Sequence, residues 1–108
     1  MMYSIDELRQ MVAPIAAKYN LPAVYVFGSY ARNEATEDSD IDVLIDRTGS
    51  AVRSLFDMGR LHEDLRACFN KEVDLVTTAA LMQEESRRKT PWFTETVMEE
   101  RIVLYARE

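Results

Sequence analysis

Short β-rich runs alternate with helical patterns along this chain of 108 residues, and few architectures satisfy that order. Residues 23–27, 41–45 and 72–77 are each too brief for a helix and rich in β-branched residues, which predicts three strands. Apolar residues recur at steps of three and four over 5–20 and 51–69, which predicts two amphipathic helices. This alternation predicts a small α/β (α+β) domain built on a mixed sheet.

The last third of the chain carries shorter patterns. They predict a helix over 79–85, an exposed connection over 84–89, a helix over 91–100 and an edge strand over 102–105. The sheet is then expected to have about four strands flanked by helices. A chain of this length is typical of one domain, so residues 1–108 are expected to form a single unit.

Acidic residues are concentrated in one segment. The chain has 19 Asp and Glu against 13 Lys and Arg, a net charge of −6, and six of the acidic residues lie between Glu34 and Asp46 with no basic residue among them. Stable nucleic-acid binding needs clustered Lys and Arg, so we expect none. No apolar run approaches the ~20 residues of a membrane span, and the N-terminus lacks the apolar core of a signal peptide. We therefore expect a cytoplasmic protein without membrane association.

Aspartates in two predicted strands indicate a metal site. Asp40 and Asp42 should project from one face of the second strand, where two carboxylates repel each other unless a cation lies between them. Asp74 interrupts an apolar strand and would be costly to bury without a partner, so we expect it to share the site. Ligand sets made only of oxygen favour Mg²⁺ or Mn²⁺. A third carboxylate could complete a second metal and accept a proton from an attacking hydroxyl.

Gly28 and Ser29, at the end of the first predicted strand, indicate an anion site. Glycine lets the backbone approach a phosphate, and Ser29 can begin a helix whose free N–H groups face that anion. A Gly-Ser step or an Asp-x-Asp pair alone is weak evidence, because most such residues face water. Their joint order along three strands makes the combination informative.

The runs 28–33 and 39–45 resemble the minimal nucleotidyltransferases of the DNA polymerase β superfamily. Within it, the chain is most similar to the MNT-domain antitoxins that pair with HEPN ribonuclease toxins, and the resemblance covers essentially the whole chain. It implies three catalytic, metal-holding carboxylates: Asp40, Asp42 and Asp74. It also implies a nucleotide site that includes Gly28, Ser29, Arg32 and Ser39.

The resemblance implies in-line attack of an acceptor hydroxyl on the α-phosphate of ATP, with two Mg²⁺ ions about 3.5–4 Å apart. Arg32, the cation nearest to the Gly-Ser step, is expected either to pair with the β- or γ-phosphate or to be an exposed residue. Because the catalytic core takes up the length of the chain, the acceptor surface is expected on a partner. The family's partner is a HEPN toxin, which receives AMP on a tyrosine near its active site and is silenced. Trp92 and Phe93 either anchor that hetero-oligomer or belong to the core.

Two other functions remain open. The chain could neutralise its partner by binding alone, in which case Asp40→Asn and Asp42→Asn would leave neutralisation intact. It could also transfer a nucleotide to a small hydroxylated compound, as larger relatives do, with a helical subunit in trans completing the acceptor pocket.

Overall fold

The computed structural model describes the backbone of residues 2–88 and 91–107 and the side chains of residues 2–83 and 92–107. Four helices and four strands are assigned over these ranges, and the α/β alternation that the sequence predicts is confirmed. In chain order they are α1 (Ile5–Lys18), β1 (Ala23–Phe27), β2 (Ile41–Asp46), α2 (Leu55–Phe69), β3 (Val73–Thr77), α3 (Thr78–Arg88), α4 (Pro91–Glu100) and β4 (Ile102–Ala106). None of the helices in the described ranges has the length and apolar character needed to cross a bilayer.

The strands form one mixed sheet of four strands, as predicted, and their order is β3-β2-β1-β4. β1 runs antiparallel to both β2 and β4, whereas β2 and β3 are parallel. Parallel neighbours require a crossover connection, and α2 provides it. The register places Asp42 opposite Phe27 on one side and opposite Asp74 on the other. The end of β1 therefore meets the first residues of β2 and β3 at one edge of the sheet.

Both faces of the sheet are buried, but unequally. α1 and α2 cover one face with a large apolar cluster that includes Leu8, Val12, Leu61, Leu65 and Phe69. A smaller cluster from α3, α4 and the other face contains Phe27, Leu44, Leu81 and Val97. Strand side chains alternate between faces, so residues at even positions of β2 and β3 face α3 and α4. This second face carries the candidate site.

The first turn of α2 differs from the prediction in two ways. The helix begins at Leu55 and not at 51, because Ser54 and Asp57 form a reciprocal capping box that fixes its start. The predicted apolar stripe includes Leu55, yet that side chain is 91% exposed. Along α2, contact with the large cluster begins at Met58, so the first turn projects beyond the core.

The prediction of an exposed connection over 84–89 is wrong for the part of this stretch whose backbone is described. α3 continues as a helix to Arg88, and residue 89 lies outside the described residues. Charged and polar residues in this stretch suggested a loop, but Glu and Arg are also good helix formers. The predicted helix over 91–100 and the predicted edge strand are both confirmed.

Candidate active site

Two carboxylates lie side by side at the edge where β2 and β3 begin. Asp42 and Asp74 are register partners in these parallel strands, so their side chains share the face that α3 and α4 cover. Asp42 is half-buried, and Asp74 is exposed. The lone aspartate of the third strand is thus brought to the second strand's aspartate by strand pairing.

The environment of Asp42 favours its protonated form. Its pKa is raised from 3.8 to about 7, and burial is the largest cause. Asp74 raises the pKa further, both as a hydrogen-bond partner and as a negative charge, and the charge of Asp40 adds to this effect. The positive charge of Arg32 acts in the opposite direction. Two carboxylates this close share a proton unless a cation replaces it. The donor set consists only of carboxylate oxygens, which suits a hard divalent ion such as Mg²⁺. The Asp42–Asp74 pair therefore fits a metal site.

Asp40 does not join this pair in one ligand set. It precedes β2 and is exposed, and within residues 2–83 and 92–107 no three His, Cys, Asp or Glu side chains lie close enough to hold one ion. Strand alternation was the reason to expect Asp40 beside Asp42, but Asp40 lies in the loop. Lys71 holds that loop by donating hydrogen bonds to the carbonyl oxygens of Glu37 at 2.6 Å and Ser39 at 3.1 Å. Local sequence patterns gave no sign of this role for Lys71.

Gly28 is required by the position of Asp42. Its φ of +71° is a left-handed conformation, and a Cβ atom at this position would lie 2.1 Å from Asp42 Oδ2. Only a residue without a side chain leaves room for that carboxylate. The N–H of Gly28 donates to Glu100 Oε1 at 3.0 Å. Glycine is thus needed here to make room for the Asp42 carboxylate, a role that the sequence alone did not indicate.

Consecutive turns follow Gly28, and the helix expected to begin at Ser29 does not form. The N–H of Arg32 donates to Gly28 O, and the N–H of Glu34 donates to Ser29 O. Asn33, with a φ of +59°, adopts the left-handed conformation that a continuing helix excludes. Within the described residues, no acceptor receives the three consecutive N–H groups of residues 29–31. Such unpaired N–H groups in a turn form a concave surface suited to anions.

Arg32 is bound by two carboxylates. Its Nε donates to Glu34 Oε1 at 2.6 Å, and its Nη1 donates to both oxygens of Glu100 at 3.1 and 3.2 Å. Within the described part of the chain, Nη2 has no such partner. Glu100 was not predictable from the sequence, because it is 68 residues from Arg32 and nothing local to α4 indicates the contact.

Ser39 lies in a turn before β2. Its hydroxyl accepts a hydrogen bond from the N–H of Thr36 at 2.8 Å, and its own N–H donates to Thr36 O at 3.1 Å. These contacts close the loop that leads to Asp40. They leave the nucleotide contact expected of Ser39 as a prediction.

A cavity of about 620 Å³ opens beside the Asp42–Asp74 pair. Its polar wall includes Arg32, Asp42 and Asp74, and its apolar wall includes Leu75, Phe93 and Val97. Ser29, Ser39 and Asp40 do not line it. A cavity with charged groups on one wall and apolar groups on another matches a ligand with both characters.

Comparison with known sequences agrees with this geometry. The sequence model of the family described as "Polymerase beta, Nucleotidyltransferase" matches residues 10–108. A Methanocaldococcus jannaschii protein named for a proposed protein adenylyltransferase activity is 42% identical over 74 residues, which is 68% of this chain and 77% of that protein. The protein adenylyltransferase MntA of Thermococcus cleftensis is 33% identical over 84 residues, which is 74% of this chain and 83% of the relative.

Solved structures share the fold. A proposed minimal nucleotidyltransferase aligns with a TM-score of 0.65 and 34% identity, covering 93% of this chain and 95% of that one. A toxin–antitoxin complex crystallised with AMP-PNP contains a chain that aligns with a TM-score of 0.66 and 19% identity, covering 93% and 74% of the two chains; at that identity the likeness concerns the fold alone. The family's sequence model matches almost the whole chain, and the paired carboxylates beside Gly28 on this mixed sheet agree with that match. The chain therefore belongs to the polymerase β nucleotidyltransferase family.

Proposed function

We propose that this chain is an antitoxin that transfers AMP from ATP to a tyrosine hydroxyl of a cognate HEPN ribonuclease toxin and so neutralises it. The observation that carries the proposal is the Asp42–Asp74 pair in a cavity that also contains Arg32 and the Gly28 turn. Two relatives named for protein adenylyltransferase activity support the acceptor class, and a toxin–antitoxin complex with the same fold supports the biological role.

In the proposed reaction, the tyrosine oxygen forms a bond to the α-phosphorus of ATP, the bond to the β-phosphate oxygen breaks, and pyrophosphate leaves. Asp42 and Asp74 would hold the divalent cations, and Asp40 is proposed as a further ligand. Bound Mg²⁺ or Mn²⁺ would stabilise charge on the attacking and leaving oxygens. Asp74, the exposed member of the pair, accepts the proton of the incoming hydroxyl.

The phosphates are proposed to lie on the turn after β1. The N–H groups of residues 29–31 have no acceptor within the described residues, and the Nη2 of Arg32 is similarly available. Backbone donors and a guanidinium together suit a triphosphate, because they supply both directed hydrogen bonds and charge. Ser39 is proposed to contact the same phosphates once its turn opens.

Exposed apolar side chains support a partner protein. In α2, Leu55 is 91% exposed and Phe56 is 76% exposed, and in α4 the corresponding values are 65% for Trp92 and 44% for Phe93. Large exposed apolar groups mark protein interaction surfaces when they occur together. We propose a hetero-oligomer with the toxin in the cytoplasm, where ATP is available, and no stable complex with nucleic acid.

Labelled ATP tests the proposed chemistry. The chain is incubated with Mg²⁺, the protein encoded by the neighbouring gene, and ATP labelled in either the α- or the γ-phosphate. Adenylyl transfer moves the α-label to the partner and leaves the γ-label in pyrophosphate. Asp42→Asn should abolish the transfer, whereas Asp46→Asn, a control in the same strand but outside the cavity, should retain it. Transfer of the γ-label, or of neither label, would refute the proposal.

A second candidate is neutralisation by binding alone. The observation that favours it is Glu100, because this carboxylate already engages the Gly28 N–H and Arg32 beside the proposed phosphate site. Co-expression with the toxin separates the two functions. If Asp42→Asn still protects cells from the toxin, binding suffices; if protection is lost while the complex still forms, catalysis is required.

A further inference from the structure

One face of α4 joins the carboxylate site to an exposed aromatic ring. Phe93, Thr96, Val97 and Glu100 all line the cavity that contains Asp42. Their spacing of three, four and seven residues from Phe93 places them along a single face of the helix. This face therefore forms one continuous wall of the cavity.

The two ends of this wall differ in character. Glu100 contacts Gly28 and Arg32, so it marks the end beside the proposed phosphate site. Phe93 lies seven residues earlier, which is about 10 Å along a helix axis at 1.5 Å per residue. A nucleotide likewise has its phosphates at one end and its base at the other, separated by the sugar.

The ring of Phe93 is not buried in the core. Val97, one turn further along α4, is only 2% exposed and fixes the helix against the sheet, whereas Phe93 is 44% exposed and remains partly open to the cavity. Val76 of β3, half-buried and packed with the smaller apolar cluster, adds apolar surface beside this wall. This apolar surface lines the same cavity as Gly28 and Arg32.

We propose that Phe93 is the platform on which the base of ATP stacks. The proposal rests on the proposed function, because it assumes that the triphosphate lies on the turn after β1. Stacking between a base and an aromatic ring is tolerant of base identity, but it strengthens with the size of the base. Removing such a ring should weaken nucleotide binding by roughly ten-fold. The contact would be specific to ligands that carry a base.

Isothermal titration of the full-length chain tests this platform with two probes, Mg²⁺–ATP and Mg²⁺–tripolyphosphate. Phe93→Ala should weaken ATP binding by about ten-fold and leave tripolyphosphate binding unchanged. Phe93→Tyr should retain wild-type affinity for ATP, because it keeps the ring. Trp92→Ala removes a ring from the same turn of α4 that does not line the cavity, and it should leave both affinities unchanged. Mg²⁺–CTP should bind wild type more weakly than ATP does, and this difference should shrink in Phe93→Ala.

The outcomes separate this proposal from the function on which it rests. If wild type binds ATP but Phe93→Ala binds it equally well, the platform is refuted and the nucleotide site stands; Phe93 would then face the acceptor protein. If Phe93→Ala weakens ATP and tripolyphosphate binding equally, the ring acts through the helix and the platform is again refuted. If wild type binds neither probe, both proposals fail.

Discussion

Asp42 should make the stability of the ligand-free protein depend on pH. Its pKa rises from 3.8 to about 7 on folding, because burial and Asp74 disfavour the charged form. The folded chain therefore binds a proton more tightly than the unfolded chain, and this stabilisation is lost as pH rises through about 7. The pKa values of Asp57 and Asp64 are lowered instead, so the stabilisation that these two carboxylates provide is lost only as pH falls below about 5.

Thermal melts in the presence of a chelator check this expectation. The melting temperature should be higher at pH 5 than at pH 8, and Asp42→Asn should remove most of the difference. Adding Mg²⁺ at pH 8 should raise the melting temperature of wild type but not of the variant. A wild-type melting temperature that rises from pH 5 to pH 8 without metal would contradict the account of this pair.

Gly28→Ala should disrupt the site more than it disrupts the fold. The new Cβ would meet Asp42 Oδ2 at 2.1 Å, and the residue would also adopt an unfavourable φ of +71°. Gly49→Ala is a matched control, because its φ is +69° and a Cβ there meets nothing within 4 Å. Both variants should lose roughly 1 kcal/mol of stability from backbone strain. Only Gly28→Ala should also lose Mg²⁺ binding and AMP transfer; equal activities of the two variants would refute the steric role.

Individual site residues were predictable where strand geometry positions them and not elsewhere. Asp42 and Asp74 lie in strands, and the pairing of those strands brings them together. Asp40 and Ser39 lie in a loop whose course depends on distant contacts such as those of Lys71. Glu100 was missed for the same reason, since α4 reaches the site only through tertiary packing.

At the scale of elements, Glu100 attaches the end of α4 to the turn after β1. Glu100→Ala should leave the partly buried N–H of Gly28 without an acceptor, at a cost of about 1–2 kcal/mol in the free energy of unfolding. Glu34→Ala is the control, because Glu34 also binds Arg32 but is 61% exposed, and the N–H of Gly28 donates to Glu100 instead. Urea denaturation should show a loss for the first variant and almost none for the second. Equal losses would mean that the Arg32 contacts, and not the link to Gly28, hold α4.

Periodicity predicted the type of most elements and was less reliable about their ends. The start of α2 is set by the capping box at Ser54 and Asp57, which an apolar pattern does not detect. α3 was predicted too short because its polar second half carries no apolar stripe. β1 and the helix 91–100 were predicted correctly because Pro22, Gly28 and Pro91 mark their boundaries.

At the scale of the whole molecule, one face of the sheet carries most of the core and the other carries the candidate site. α1 and α2 supply most of the core on one face, which leaves the other face for the carboxylates and the cavity. The mixed sheet and the resemblance to nucleotidyltransferases were both predictable, and the family match over residues 10–108 confirms the latter. The strand order was not, because the pairing of β4 with β1 depends on contacts between distant segments.

The first turn of α2 is expected to contact the partner. Leu55 and Phe56 are exposed, so replacing both with Ser should leave the melting temperature of the isolated chain unchanged. Removal of two large apolar groups from an interface should nevertheless weaken the complex with the toxin at least ten-fold. Titration of the toxin into the variant checks this, with Gln10→Ser as an exposed polar control. Unchanged affinity of the double variant would exclude this surface.

Intact-mass measurement of the toxin shows directly whether this chain transfers AMP to it. The toxin is incubated with the chain, ATP and Mg²⁺, its mass and ribonuclease activity are followed together, and peptide mapping locates any modification. We expect adenylyl groups to be added to a tyrosine as ribonuclease activity falls. Asp42→Asn should prevent both changes, and Asp46→Asn should prevent neither. Loss of ribonuclease activity with no change in the toxin's mass would contradict this expectation.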